Sequence, residues 1–123
     1  MDKLVYLLED SDADVLAFLR ALKKISPGTR LVRWRTLQQA LEYLAARGQE
    51  VPVAMFLDLY LPDGGGLDLL RRISDFPSPI FLISSLASAE LREIAIEAGA
   101  LGLVDKDQSF ADFAAALQQA LTG

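Results

Sequence analysis

Five short apolar runs alternate with five amphipathic stretches along these 123 residues, and that alternation leaves the fold little freedom. The runs are residues 4–8, 31–34, 53–57, 80–83 and 101–104. Apolar runs of about four to eight residues closed by turn signals read as buried strands. Three of them are near-continuously apolar, as parallel strands covered on both faces are. Residues 31–34 alternate more and are expected at a sheet edge. Between the runs, apolar side chains recur at helical spacing. Val15, Phe18, Leu19 and Leu22 make one stripe; Leu37, Ala40, Leu41 and Leu44 make the next. Leu67, Leu70 and Ile73, then Leu91, Ala95 and Ala98, continue the series. Phe110, Phe113, Ala114, Leu117 and Leu121 close it. Five strand–helix units in succession require crossover connections, and so an α/β fold with a parallel sheet.

The punctuation agrees. Ser11 with Asp14, and Ser109 with Asp112, have capping-box spacing with Asp in place of Glu. Gly48 and Gly99 stand where helices should stop. Pro27-Gly28, Pro62 and Pro77-Ser78-Pro79 fall between elements. The length suits one domain, and 52% hydrophobic residues are enough to fill its core. The last stripe runs almost to Gly123, so residues 1–123 are expected to form a single domain with no output domain.

Composition removes several chemistries. The chain has no Cys and no His, which excludes disulfides, zinc sites built on thiolate or imidazole, His-based triads and a phosphohistidine. A net charge of -5 argues against a nucleic-acid partner, whose footprint is a basic patch. Arg30, Arg33 and Arg35 are expected to share one strand face, solvated or covered by a helix. No apolar stretch is long enough to span a membrane, and Met1-Asp2-Lys3 leads straight into the first run without a signal peptide. The cytoplasm is the expected location, with no membrane partner.

In an open parallel sheet, ligands bind beyond the carboxyl ends of the strands, where the strand order reverses. Glu9 and Asp10 end the first run, Asp58 the third and Ser84 the fourth, and Lys106 follows the fifth. Taken singly, each has a bland reading. Glu9-Asp10 could cap a helix, Asp58 could start a turn, Ser84-Ser85 could be turn chemistry, and Lys106 could be a surface charge. Their convergence on one sheet edge is what those readings leave unexplained. Clustered carboxylates repel, and a hard cation relieves them. Mg²⁺ takes oxygen ligands and keeps room for water and phosphate. Asp10 and Asp58 are the expected direct ligands, with Glu9 acting through a water and the Tyr60 backbone carbonyl adding an oxygen. Lys106 can pair with Asp58 or with a phosphoryl group on it, and the Ser84 hydroxyl can donate to the same group.

With those residues placed, the chain resembles the receiver domain of two-component response regulators. The resemblance rests on Leu8-Glu9-Asp10, Phe56-Leu57-Asp58-Leu59-Tyr60-Leu61-Pro62 with its following glycines, Leu82-Ile83-Ser84-Ser85, and Ala98-Gly99-Ala100 leading to Lys106. It implies a flavodoxin-like (βα)5 doubly wound sheet with strand order 2-1-3-4-5. It implies Asp58 as acceptor of a phosphoryl group from a histidine kinase or phosphotransfer protein, with Glu9 and Asp10 holding Mg²⁺. Ser84 and Lys106 would engage the phosphoryl group, whose charge of about −1.5 to −2 moves their loops. Such a chain is a phosphoacceptor switch rather than an enzyme, although it assists its own phosphorylation and dephosphorylation. It would act on a downstream protein target. Helix one and the rim around Asp58 would dock the kinase. Helix four, strand five and helix five would carry the output, either as a monomer or as a homodimer. The Ala-rich stretch 111–120 allows close helix packing there.

Two positions depart from the family pattern. Leu103 stands where an aromatic switch residue is usual, three before the lysine, and Asp107 stands where proline is usual. A trans bond is expected before Asp107, since a non-proline cis bond costs about 2.5–4 kcal/mol. Asp105 and Asp107 are expected to compete for Lys106. Tyr60 and Leu86 flank the path of an attacking water, and slow self-dephosphorylation is expected because both are bulky. The alternative is a pseudo-receiver that works as an interaction module without phosphorylation. A flavin or nucleotide binder on the same fold is disfavoured, because Glu9-Asp10-Ser11-Asp12 is acidic where a phosphate loop needs glycines.

Overall fold

The computed structural model describes residues 3–46, 48, 50–73, 75–106 and 109–122, the side chains of 109–112 and 122 excepted. Strands and helices alternate: β1 (Leu4–Leu8), α1 (Asp12–Ile25), β2 (Arg30–Trp34), α2 (Leu37–Ala45), β3 (Ala54–Asp58), α3 (Gly66–Arg72), β4 (Ile80–Ser84), α4 (Ala89–Glu97), β5 (Gly102–Asp105) and α5 (Ser109–Thr122). The strands form one parallel sheet in the order β2-β1-β3-β4-β5. This is the flavodoxin-like arrangement expected from the sequence, with β2 at an edge.

Period two along each strand divides the core between the two faces of the sheet. Tyr6, Leu8, Met55, Leu57 and Leu82 pack with residues of α2, α3 and α4. Val5, Leu7, Phe56, Phe81 and Ile83 pack with residues of α1 and α5. Every residue of β1, β3 and β4 is buried. Each fully buried Leu or Phe side chain contributes about 1.5–3 kcal/mol, so these three strands form the rigid centre.

The ladder reaches further than hydrophobicity does. Asp58 pairs in register with Ile83, and Ser84 with Asp105, so both polar residues belong to their strands. Backbone hydrogen bonding is indifferent to the side chain, which the apolar runs could not report. Two helical stripes also differ from expectation. Leu69 and Ala116 are buried, although neither belonged to the spacing pattern read from the sequence.

The expected caps form where they are described. Ser11 accepts from the Asp14 amide at 3.2 Å, and Gly99, at φ 110, ends α4 in a conformation unfavourable to other residues. The Ser109–Asp112 box and the peptide bond before Asp107 lie outside the described residues. The three arginines do not share a face. Arg30 pairs with Glu50 at 2.7 Å, while Arg33 and Arg35 both reach Asp12 at 2.9 Å. Period two joins 33 to 35 and sends 30 to the opposite side.

Candidate functional site

The strand order reverses at β1. The chain leaves β1 for β2 on one side and returns to β3 on the other, so the loops after β1 and β3 diverge and open a cleft. One further ladder bond anchors the backbone at each strand end here. The Glu9 amide donates to the Trp34 carbonyl at 3.0 Å, the Leu59 amide to Ile83 at 2.9 Å, and the Lys106 amide to Ser84 at 3.0 Å. Glu9, Asp58 and Lys106 therefore stand on rigid backbone rather than on free loop.

Their side chains meet. Asp58 is 5% exposed and Glu9 2% exposed. Glu9, Asp10 and Asp58 each offer a carboxylate oxygen within 4.8 Å of the others. The Lys106 ammonium lies 2.8 Å from Asp58 Oδ2 and 2.6 Å from Glu9 Oε1. Asp58 Oδ1 accepts from the Tyr60 amide at 3.2 Å, and Glu9 Oε2 from the Ser11 amide at 3.1 Å. Burial pushes the Glu9 carboxyl up to about 7, the Lys106 ammonium pulling it down and the neighbouring Asp58 raising it again. Burial also works against the charge on Lys106, but its hydrogen bonds to Asp58, Glu9 and Asp14 hold it above the usual lysine range.

The loop after β3 is shaped by close approach. A Cβ on Gly65 would fall 1.7 Å from the Leu59 carbonyl oxygen, and one on Gly66 2.9 Å from that of Asp58. Only glycine lets α3 begin directly beneath Asp58. Asp63 ties the same loop to α2, accepting from the Leu37 and Gln38 amides at 3.1 and 3.2 Å.

Ser84 lies at the end of the adjacent strand, 1% exposed. Its hydroxyl oxygen accepts from the Leu86 amide at 3.0 Å, which leaves its own O–H free to donate elsewhere. Tyr60 and Leu86 are 60% and 69% exposed. Leu103 is buried with the α2–α4 face of the core. Among the described residues, the ion pairs of Lys106 include those with Asp58, Glu9 and Asp14; Asp107 lies outside the described residues.

The response regulator receiver domain family matches residues 5–118. The chain belongs to that family. It is 30% identical over 118 residues to the KDP operon transcriptional regulatory protein KdpE of Escherichia coli (strain K12), covering 95% of this chain and 50% of that protein. The chain spans about half the length of the curated relatives it matches. Among solved structures, the bacteriophytochrome response regulator RtBRR shares the fold with a TM-score of 0.81 at 29% identity, over 98% of this chain and 78% of that one. The signal receiver domain of a DNA binding response regulator protein (merR) from Colwellia psychrerythraea 34H reaches a TM-score of 0.84 at 16% identity, covering 99% of this chain and 100% of that one. Receiver domains accept a phosphoryl group on an aspartate in two-component signalling. Among the described residues, no helix is long and apolar enough to cross a membrane.

Sequence reading missed two neighbours of this receiver site. Asp14 reaches Lys106 at 3.1 Å, and Arg33 Nε donates to the Glu9 carbonyl at 2.7 Å. The capping-box spacing marked Asp14, but as a helix cap. Nothing in the sequence pattern singled out Arg33 from its neighbours.

Proposed function

We propose that this receiver domain is a phosphorylation switch in which Asp58 accepts a phosphoryl group from a histidine kinase or phosphotransfer protein. The observation that carries the proposal is the pairing of a buried carboxylate with a fixed ammonium, 2.8 Å apart, beside two further acids. In the transfer, an oxygen of the Asp58 carboxylate forms a bond to phosphorus while the donor's bond to phosphorus breaks, and the donor leaves with that electron pair. As the Asp58 carboxylate loses its charge, Lys106 can turn from it to neutralise charge on the phosphoryl oxygens, and the Ser84 O–H can turn to donate to one of them.

The acid cluster fits Mg²⁺. Its donors are all hard oxygens, and one from each of the three acids lies within 4.8 Å of the others. Glu9, Asp10, Asp58 and the Tyr60 carbonyl would hold the ion. When bound, Mg²⁺ supplies positive charge opposite the incoming phosphoryl oxygens. The remaining parts of this reading are a cytoplasmic domain over residues 1–123, and a downstream protein target engaged through α4, β5 and α5 as monomer or homodimer.

Incubation with acetyl phosphate, read by intact mass, tests the switch. One phosphoryl group should be gained with Mg²⁺, and none without Mg²⁺ or in Asp58→Asn. A folded protein that gains none from acetyl phosphate or from candidate kinases is a pseudo-receiver instead. We assign the lifetime of the phosphoryl group to Tyr60 and Leu86, both exposed and standing two residues beyond Asp58 and Ser84, respectively, in the chain. Tyr60→Asn with Leu86→Glu should speed loss of the phosphoryl group about a hundredfold, the low end of what a positioned acid–base group contributes. An unchanged half-life would remove that assignment.

A further inference from the structure

Asp14 departs from the role its position predicts. It is the third residue of α1, where an acid usually reaches back to the amide of the capping residue, here Ser11. That amide is already taken by Glu9 Oε2 at 3.1 Å. Asp14 turns to Lys106 instead, with Oδ2 3.1 Å from the ammonium. An ammonium has three N–H donors, and here three carboxylates claim them: Asp58 at 2.8 Å, Glu9 at 2.6 Å and Asp14 at 3.1 Å. Lys106 has no donor in reserve for a phosphoryl oxygen.

When Asp58 is modified its carboxylate loses its charge and the N–H it held can pass to a phosphoryl oxygen, but any second donor from Lys106 to the group must be given up by Glu9 or Asp14. Glu9 is 2% exposed on its side chain and held at its second oxygen, so leaving it would strand a buried acid. The Asp14 side chain is 49% exposed, and water can replace the lysine there at small cost. Asp14 nonetheless remains an anion beside the incoming group, and like charges repel.

We propose that Asp14 is a positioning residue that competes with the phosphoryl group for Lys106 and so lowers the readiness of Asp58 to take it. The inference rests on the phosphoacceptor reading given above. It concerns this chain's own helix cap, whose reciprocal half has been diverted from Ser11 to the reactive lysine.

Trifluoroberyllate, which coordinates a carboxylate as a stand-in for a phosphoryl group, gives an equilibrium test at saturating Mg²⁺. Bound and free probe are counted by fluorine NMR for the native chain, Asp14→Asn, Asp14→Glu and Asp12→Asn. Asp12 removes an equal charge from the same helix turn, but its carboxylate serves Arg33 and Arg35. Asp14→Asn should bind the probe about threefold more tightly, the effect of a half-exposed ion pair. Asp14→Glu and Asp12→Asn should stay near the native value. Mg²⁺ affinity without the probe should not rise in Asp14→Asn, because a negative charge has been removed. A merely structural lesion would weaken both probe and Mg²⁺. Probe affinity in Asp14→Asn at or below the native value, in a variant with native melting, overturns the competition. A gain of equal size in Asp12→Asn overturns it too, since general charge would then explain the effect. A native chain that binds no probe and gains no mass from acetyl phosphate sinks the phosphoacceptor reading, and the competition with it.

Discussion

Two charge clusters sit at the same end of the sheet, and they are built in opposite ways. In one, a single carboxylate, Asp12, serves two arginines, Arg33 and Arg35, each 2.9 Å away. In the other, a single ammonium, Lys106, serves Asp58, Glu9 and Asp14. The Asp12 side chain is 74% exposed, whereas those of Glu9 and Asp58 are 2% and 6% exposed. The distances are alike, so Coulomb's law at contact does not separate the clusters. Solvent does. Water screens the first cluster and would solvate either partner left alone; it cannot do so for the second. Hence the first can only steady a loop, while the second holds charge in tension that a cation or a phosphoryl group can release.

Lysine removal should break the symmetry most clearly. Lys106→Met should destabilise the metal-free protein by about 3 kcal/mol, because two buried acids lose their cation. Denaturant unfolding with a chelator present measures it, and added Mg²⁺ should restore part of the loss. A cost below about 1 kcal/mol would mean that the buried cluster is no different from a surface pair.

Acid should then move the two clusters in opposite directions. Hydrogen bonding from Arg33, followed by the charge of Arg35, holds the Asp12 carboxyl below its ordinary value. Its folded state binds protons less readily, so its contribution is present above the unfolded value near 3.8 and is lost as pH falls. Glu9 is raised from 4.5 to about 7 by burial, so the metal-free folded state holds a proton that the unfolded chain has released. Its contribution is therefore largest below 4.5 and is lost as pH rises through about 7. Stability of Glu9→Gln in chelator should fall less steeply between those values than that of the native chain. Asp12→Asn should leave that range unchanged and flatten only the acid limb. Identical slopes for both variants would contradict the contrast.

The smallest effect should belong to the exposed cluster itself. Asp12→Asn should change stability at neutral pH far less than Lys106→Met does, and raised salt should shrink the difference further. Melting curves at low and high salt would show it. A loss as large as that of Lys106→Met would mean that the arginines hold the Glu9 loop in place, through the Arg33 bond to the Glu9 carbonyl, more firmly than exposure allows.

Much of this contrast was legible in the residues before any fold was drawn. Asp58 and Ser84 ended apolar runs, and both stand at the ends of buried strands. Ser11 announced the start of α1, and Gly99 its counterpart at the end of α4. Such signals are local: a strand, a cap and a stop each depend on neighbours within a turn or two of chain. Arg30 was assigned to the wrong face because residues 30 and 33 differ by an odd number, and period two separates them. Asp14 was read as a cap, correctly for its amide and wrongly for its carboxylate.

What the sequence determined by itself is the order of elements, the two-faced core and the arrival of acids and a lysine at the carboxyl ends of the strands. Hydrophobic periodicity encodes these directly, and a parallel sheet carries every strand end to one edge. Only the tertiary structure decided which acids share the lysine. Lys106 and Asp14 lie 92 positions apart, and their meeting depends on how α1 lies over the sheet and on Glu9 having already taken the Ser11 amide. Competition for one ammonium among three carboxylates is settled by register and burial across distant segments, and no local pattern records it.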